Sequence, residues 1–395
     1  MKILGINISH HGSSCLLEDG QIKYFLEDER VNRIKNYCPN GQYNNEAIRD
    51  ETLEIYFSEE LFKYTDHVDY IIFSSFGRYG DVIFDDDDTL IELYLQRLEE
   101  KGFRWGEVVF ENHNHHVYHA ANGFYGSEFD EAVALVLDGG GGLYPSEENI
   151  EDLLGKNSQN CFREMESIFK LSYESGIKTV WQHYGWCEHG PEYAQVKDDE
   201  QFVCEYGDSV LSNTLSCGQL FNLFAHSLGF VDGGDAGKVM GMSSYCDYEE
   251  DEELEPNWWR KLEWFESMEG VRVTSESLHQ KLASDDVFPF DRTDFEPDAF
   301  YAKCDAANKL QEETLKHTKT LINKAVELTG CNNVVLSGGY ALNCLNNYQY
   351  LNSDINLFVD PISNDGGTAL GAAKWLYYKL TKSKEKSPLN TLYLS

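Results

Sequence analysis

With 395 residues, 42% of them hydrophobic and 25% charged, the chain can bury two or three domains' worth of core and has the composition of a soluble globular protein. A net charge of −36 argues against loose, nonspecific nucleic-acid binding, which needs Lys and Arg to meet phosphate, though it leaves room for a local basic groove. No apolar run approaches bilayer-spanning length, 8 Pro exclude long Pro-rich linkers, and 10 Cys without a CxxC pair support neither a zinc ribbon nor a redox motif.

The opening residues, MKILGINISHHGSS, enter a strand directly and lack the long apolar stretch and small-residue cleavage site of a signal peptide, so a cytoplasmic protein without membrane association is expected. Lys2 to Ile8 is an apolar strand. Cys15 to Glu18 and Gln21 to Leu26 flank Asp19-Gly20, the strongest two-residue hairpin signal, which predicts three antiparallel strands. Asp69 to Ser74 reads as a strand, Thr89 to Lys101 as a helix and Glu107 to Glu111 as a strand. The acidic runs Asp85 to Asp88 and Glu249 to Glu255 lack the central Gly of a Ca²⁺ loop and read as solvated loops. His113 to Tyr125 has helical periodicity. Ala132 to Asp138 is a continuous apolar strand that runs into Gly139 to Gly142.

The segment around 145–217 lacks clean periodicity and is rich in Trp, Tyr and His, which suggests an insertion with some strand content. Helices are expected at Gly218 to Leu228, Asn257 to Glu269 and Ser275 to Ala283, and a long one at Ala306 to Thr329. Asn333 to Leu336 is a strand entering Ser337-Gly338-Gly339. Ile355 to Val359 is a further strand and Gly367 to Leu380 a helix. The last fifteen residues are polar and expected to fray. Both halves begin with a buried strand ending in a polar residue, Asn7 or Asp138, followed by a turn containing Gly or Ser. Duplications of this kind build the actin-like ATPase fold, in which two lobes face each other across a nucleotide cleft.

Four groups of residues can carry chemistry. His115 and His119 are four apart, so a helix puts both imidazoles on one face, where they can chelate a metal ion; histidines on a helix surface would give the same pattern. No Glu occupies the position that a zinc protease needs. Asp138 ends an apolar strand ahead of Gly139 and Gly140, where a carboxylate can face a cleft and consecutive backbone N–H groups can approach phosphate; a plain turn is the alternative. At Gly338-Gly339, through to Asn343, a strand meets a helix start in a way that suits the sugar and phosphates of a nucleotide, or simply makes a tight connection. Asp365 precedes Gly366-Gly367 and a helix, so it can cap that helix or aim into a cleft.

Taken in order, these segments resemble the carbamoyltransferase family of the nodulation-protein and antibiotic O-carbamoyltransferase type, whose first domain is related to the tRNA threonylcarbamoyl transferases. The matching segments are Asn7 to Ser14 with His10, the run Glu29-Arg30-Val31-Asn32-Arg33-Ile34-Lys35, His115 to Ala120, Leu137 to Gly139, Lys238 to Gly241, Gly338 to Asn343 and Asp365 to Ala373. The resemblance implies an α/β protein of the ASKHA (actin-like ATPase) fold with two duplicated lobes around a central cleft. The first lobe would span 1–130 and the second 131–380 with its insertion, followed by a tail at 381–395. It implies a metal site of His115, His119, Asp138 and Asp365, with Fe as the ion and Zn or Mn as possibilities. Gly139, Gly140, Lys238, Gly338, Gly339 and Asn343 would hold ATP or carbamoyl adenylate. His10 would activate the acceptor and Lys35 would place or stabilise the carbamoyl group.

The activity implied is O-carbamoyl transfer from carbamoyl phosphate or carbamoyl adenylate to a hydroxyl. The sequence stops about twenty residues after Ala373, before the adenylate-forming domain that family members carry. Either a separate adenylate-forming subunit or direct use of carbamoyl phosphate is therefore expected. Trp181, His183, Tyr184, Trp186 and His189 could stack on a flat acceptor or pack a local hairpin. A 5-hydroxymethyl-pyrimidine, in DNA or as a nucleotide, ranks first as acceptor, and a sugar or antibiotic hydroxyl second. The competing functions are a tRNA threonylcarbamoyl-type transferase and a nucleotide-binding subunit without catalysis.

Overall fold

Asp19 and Gly20 both take positive φ, 47° and 79°, the backbone that a tight two-residue hairpin demands and that Gly adopts freely. This turn joins β2 (Ser13–Glu18) to β3 (Gln21–Glu27), and β2 pairs antiparallel with β1 (Lys2–Asn7). Two parallel strands, β4 (His67–Ser74) and β5 (Arg104–Phe110), complete a five-stranded sheet of order β3-β2-β1-β4-β5. The computed structural model describes residues 1–39, 55–76, 87–111, 114–142, 162–186, 203–206, 208–212, 216–230, 235–246, 265–267, 270–271 and 297–389.

A second sheet repeats the arrangement. Its strands are β6 (Glu131–Leu137), β7 (Phe162–Ser172), β8 (Gly176–Trp186), β9 (Val203–Tyr206), β10 (Ser209–Ser212), β13 (Asn333–Ser337) and β14 (Asn356–Val359). The order β8-β7-β6-β13-β14 mirrors the first sheet strand for strand, with the same antiparallel hairpin and the same two parallel neighbours, and β10 and β9 extend its edge. The duplicated two-lobe ASKHA fold is therefore present. The segment expected to be an insertion supplies β7 and β8, integral strands of the repeat. Both faces of β7 are covered along most of its length, so the polar and apolar alternation of a half-exposed strand never develops there. Small strands β11 (Phe265–Ser267) and β12 (Gly270–Val271) pair where the Asn257 to Glu269 helix was expected. The remainder of that stretch, the Ser275 to Ala283 helix, the Glu249 to Glu255 run and His189 lie outside the described residues.

Helices fill the layers. Going along the chain they are α1 (Glu29–Asn32), α2 (Ser58–Phe62), α3 (Asp87–Glu100), α4 (His115–Gly126), α5 (Cys217–Ser227), α6 (Ala236–Ser243), α7 (Pro297–Thr329), α8 (Cys344–Tyr348) and α9 (Gly367–Thr381). One core lies between the first sheet and α2 with α3, and another between the second sheet and α5, α6 and α7. The central core holds α4 and α9 back to back between the sheets, with Ile3, Cys15 and Ile72 on one side and Ala134, Val136 and Val335 on the other. Gly371 of α9 makes this crossing possible: a Cβ there would overlap the Tyr118 carbonyl of α4. The chain after α9, expected to fray, docks at least to residue 389. The Ser387 N–H donates to the Tyr125 carbonyl at 3.0 Å, its hydroxyl reaches the Gly20 carbonyl, and Leu389 packs on the central core. Among the described residues, no helix is long and apolar enough to cross a membrane.

Candidate metal and nucleotide site

The C-terminal ends of β1, β4, β6 and β13 and the N-terminal ends of α4 and α9 meet at one place, as ligand sites in layered α/β proteins do. Helix α4 is buried along nearly its whole length, so His115 and His119, one turn apart, face the interior. Their Nε2 atoms lie 3.2 Å apart. Asp138, just past β6, puts Oδ2 3.4 Å from His115 Nε2 and 3.9 Å from His119 Nε2. Asp365, just before α9, puts Oδ1 3.8 and 3.5 Å from the same two nitrogens. All four side chains are buried.

These distances fit a shared ion. Donors about 2.0–2.2 Å from one metal lie roughly 3–3.5 Å from each other; three of the separations, 3.2, 3.4 and 3.5 Å, match this, and the other two, 3.8 and 3.9 Å, are a few tenths of an ångström longer. Two imidazoles and two carboxylates form a set that binds Fe, Zn or Mn, and the four donor atoms lie within 4.8 Å of one another. The electrostatics agree. Burial works against a charge on His115, yet hydrogen bonds and attraction to Asp138 and Asp365 outweigh it and hold the imidazole up at about 10. Burial alone would raise both carboxyls, and Asp365 would raise Asp138 further; the histidines bring Asp138 below its ordinary value and Asp365 well below. The pocket therefore favours cationic charge between its carboxylates.

His116, the neighbour in the His-rich run, points elsewhere. Its Nδ1 lies 2.7 Å from Ser167 Oγ, and burial presses the ring down to about 3, so it stays neutral.

A cleft of about 390 Å³ opens above this floor. Asp138, Gly139, Gly140, Gly339, Asn343, Asp365 and His10 all line it, so most of the residues singled out in the sequence come together here. Gly338 lies beneath: at φ 90° it presses against β6, where a Cβ would collide with the Leu137 carbonyl. The turn delivers the Gly339 N–H to Asp138 Oδ1 at 3.0 Å. The Asn343 amide is taken up by Gln311 in both directions, at 2.6 and 3.1 Å, so it offers the cleft a braced polar edge.

Lys35 and Lys238 are not cleft-lining. Both reach Asp235, at 2.8 Å each, with more than half of each lysine side chain exposed. Asp235, in front of α6, thus joins a residue of the first lobe to one of the second, and sequence reading missed it. Also missed was Phe76, which lines the cleft and meets the His115 ring edge-on at 5.8 Å. Arg163 was missed too: it is buried and donates to the carbonyls of Phe76 and Gly141, linking the ends of β4 and β6. A buried Arg inside an apparent insertion gave no pattern to read. Trp181, His183 and Tyr184 are buried in the second lobe, so stacking on an acceptor is ruled out for them and hairpin packing holds.

A family model described as "Carbamoyltransferase N-terminus" matches residues 89–374. The nodulation protein NolNO of Sinorhizobium fredii is 24% identical over 396 residues, covering 97% of this chain and 48% of that protein. An uncharacterized protein of Synechocystis sp. is 23% identical, covering 97% and 58%. The chain thus spans about half the length of the curated relatives it matches. Among solved structures, HypF of T. kodakarensis aligns with a TM-score of 0.52 at 14% identity, over 96% of this chain and 48% of that one, a likeness of fold. Since the family model spans most of the chain, from α3 through the crossing of α4 and α9, the protein belongs to the carbamoyltransferase N-terminus family.

Proposed function

We propose that the protein is an O-carbamoyltransferase, moving a carbamoyl group from carbamoyl adenylate or carbamoyl phosphate to an acceptor hydroxyl. The observation that carries this reading is the joining of a two-His, two-Asp floor to a glycine-lined cleft, within a chain of the carbamoyltransferase N-terminus family. Iron is the ion proposed for His115, His119, Asp138 and Asp365; when bound it supplies Lewis-acid polarisation of the carbamoyl carbonyl. The N–H groups around Gly139 and Gly140 orient the donor's phosphate, and the Gly338-Gly339 turn with Asn343 holds its nucleoside part. His10, at the cleft wall, takes the proton of the acceptor hydroxyl as its oxygen attacks the carbamoyl carbon. The new C–O bond replaces the bond to phosphate, which leaves as phosphate or AMP. Lys35, held by Asp235, offsets the negative charge of the donor at the cleft edge.

The acceptor proposed is a 5-hydroxymethyl-pyrimidine. The nucleotide form ranks ahead of DNA because a net charge of −36 repels a polyanion. A separate adenylate-forming subunit is proposed for the case in which carbamoyl phosphate and ATP alone give no transfer. Mass spectrometry of acceptor mixtures, incubated with iron-loaded protein, carbamoyl phosphate and ATP, tests the reading. The mixture contains hydroxymethylcytosine DNA, its free nucleotides and hydroxylated sugars. A mass gain of one carbamoyl group on an acceptor supports the proposal and names the substrate. No gain with metal bound, also after synthetic carbamoyl adenylate is added, overturns it.

A further inference from the structure

A second group of metal-capable side chains meets inside the second lobe. Glu166 on β7, Cys217 at the start of α5 and His317 in α7 bring a carboxylate oxygen, a sulfur and an imidazole nitrogen within 4.8 Å of one another. All three are buried, beside the core that packs the second sheet against α5 and α7. We propose that Glu166, Cys217 and His317 form a second metal site, of the Zn(II) class, that fixes the start of α5 against the floor of the nucleotide cleft.

The hydrogen bonding leaves one carboxylate oxygen facing the other two groups. His183 Nδ1 lies 2.6 Å from Glu166 Oε2, and its Nε2 lies 2.6 Å from Ser212 Oγ. With its proton on Nδ1, neutral His183 donates to the carboxylate and accepts from the serine, which fixes the carboxylate plane in the way outer partners orient metal ligands. Glu166 Oε1 then faces His317 Nε2 at 3.2 Å. Two donors on a tetrahedral ion, each about 2.0–2.1 Å from it, lie roughly 3.3 Å apart.

An ion pair between Glu166 and His317 accounts for two of the groups, and a hydrogen bond with Thr318 occupies the thiol; a metal would draw all three donors to one point. A Cys, His and carboxylate set is one that Zn(II) accepts with a position left for water, whereas Mg²⁺ and Ca²⁺ prefer oxygen throughout. Binding replaces the Cys217 S–H bond and the His317 Nε2–H bond by bonds to the metal; the thiol proton goes to solvent, and the imidazole keeps a single proton on Nδ1, any further one also going to solvent, with no change of oxidation state.

The location gives such an ion a task. Gly218 follows Cys217 and packs so closely that a Cβ would sit 2.7 Å from the Gly139 nitrogen. Ser216 Oγ donates to the Asp138 carbonyl at 2.7 Å. Segment 216–218 therefore backs the strand end that presents Asp138 and Gly139, and a metal at Cys217 anchors it from behind.

Cobalt(II) loading of the intact protein tests the proposal. We expect a near-ultraviolet thiolate-to-cobalt charge-transfer band that saturates by two equivalents in the wild type, with an amplitude of one cobalt–thiolate centre per chain, and at one equivalent in the double variant below. It is lost in Cys217→Ser and retained in the His115→Ala/His119→Ala double variant. Total metal after loading is two per chain in the wild type and one in each of these variants. Absence of the band from the wild type overturns the proposal without any variant having to fold. A band that persists in Cys217→Ser, or that disappears with the His115/His119 pair, overturns it as well. Because the double variant removes only the first site, a failure here is distinct from a failure of the proposed transfer activity.

Discussion

The two sheets share a topology, and the corresponding strand ends do different work. At the end of β1, Asn7 Nδ2 donates to the carbonyls of His10, His11 and Asp365, and its Oδ1 accepts from the N–H and hydroxyl of Ser9. At the end of β6, Asp138 spends one oxygen on the Gly339 N–H and turns the other toward the two imidazoles. An uncharged amide both donates and accepts, so it can fasten a loop of carbonyls. A carboxylate only accepts, so it gathers N–H groups and cations. The fold supplies two similar positions, and side-chain chemistry makes one a clamp and the other a ligand.

The largest effect comes from emptying the ligand side. His115→Ala or His119→Ala removes a donor and leaves Asp138 and Asp365 closer to unopposed repulsion. Bound metal should fall to background at the first site, and transfer should drop by about 10³-fold or more, the equivalent of several kcal/mol of lost charge stabilisation. Asp138→Asn sharpens the comparison, because the amide keeps an acceptor for Gly339: transfer is lost while the thermal midpoint stays within about 4 °C. A large unfolding shift would show that Asp138 is mainly structural.

Next in size is the clamp. Asn7→Ala leaves buried carbonyls without their donor and should destabilise by about 2–3 kcal/mol in urea unfolding. Asn7→Asp puts a carboxylate against three carbonyl oxygens, so its deficit relative to wild type should grow as pH rises from 4 toward 7. A deficit independent of pH would mean that the amide is not donating there.

The smaller effects are electrostatic. His115 is raised from 6.5 to about 10, so in metal-free protein its contribution to stability is full below pH 6.5 and is lost as pH rises through 10. The depressed carboxyls act at the other end: their contribution is present above their ordinary value of 3.8 and lost as pH falls below it. Thermal midpoints of metal-free protein should therefore decline between pH 6.5 and 10. Apparent metal affinity should rise over the same interval, because the ion displaces the His115 proton. Smallest of all, Lys35→Ala should change stability by less than about 1 kcal/mol, since its ion pair with Asp235 is solvent-screened, while lowering the transfer rate.

Much of the fold was legible because its signals are local. Asp19-Gly20, the i,i+4 histidines and the apolar strands at 132–138 and 333–336 each carry their own periodicity or turn chemistry. The clustering of His115, His119, Asp138 and Asp365 followed from family resemblance, since nothing local brings residue 365 to residue 115. Other features had no local signal. β7 is buried on both faces along most of its length and so shows no alternation. Asp235, Phe76 and Arg163 act through partners about 20 to 200 residues away in sequence, beyond any turn or helix period. Ser387 belongs to a polar stretch whose docking depends on carbonyls at Gly20 and Tyr125.

The back-to-back pair α4 and α9 also bears on how the chain is made. The apolar face of the first sheet is covered by α9, which begins at Gly367, and the Cys15 thiol donates to the Ala369 carbonyl. During synthesis, Ile3, Cys15 and Ile72 must wait for more than two hundred further residues to be translated before their cover emerges. Contacts of such long sequence separation slow folding and leave an apolar, aggregation-prone surface exposed in the meantime. Ribosome-bound chains stopped before α9 should therefore depend on chaperones in a way that the finished protein does not.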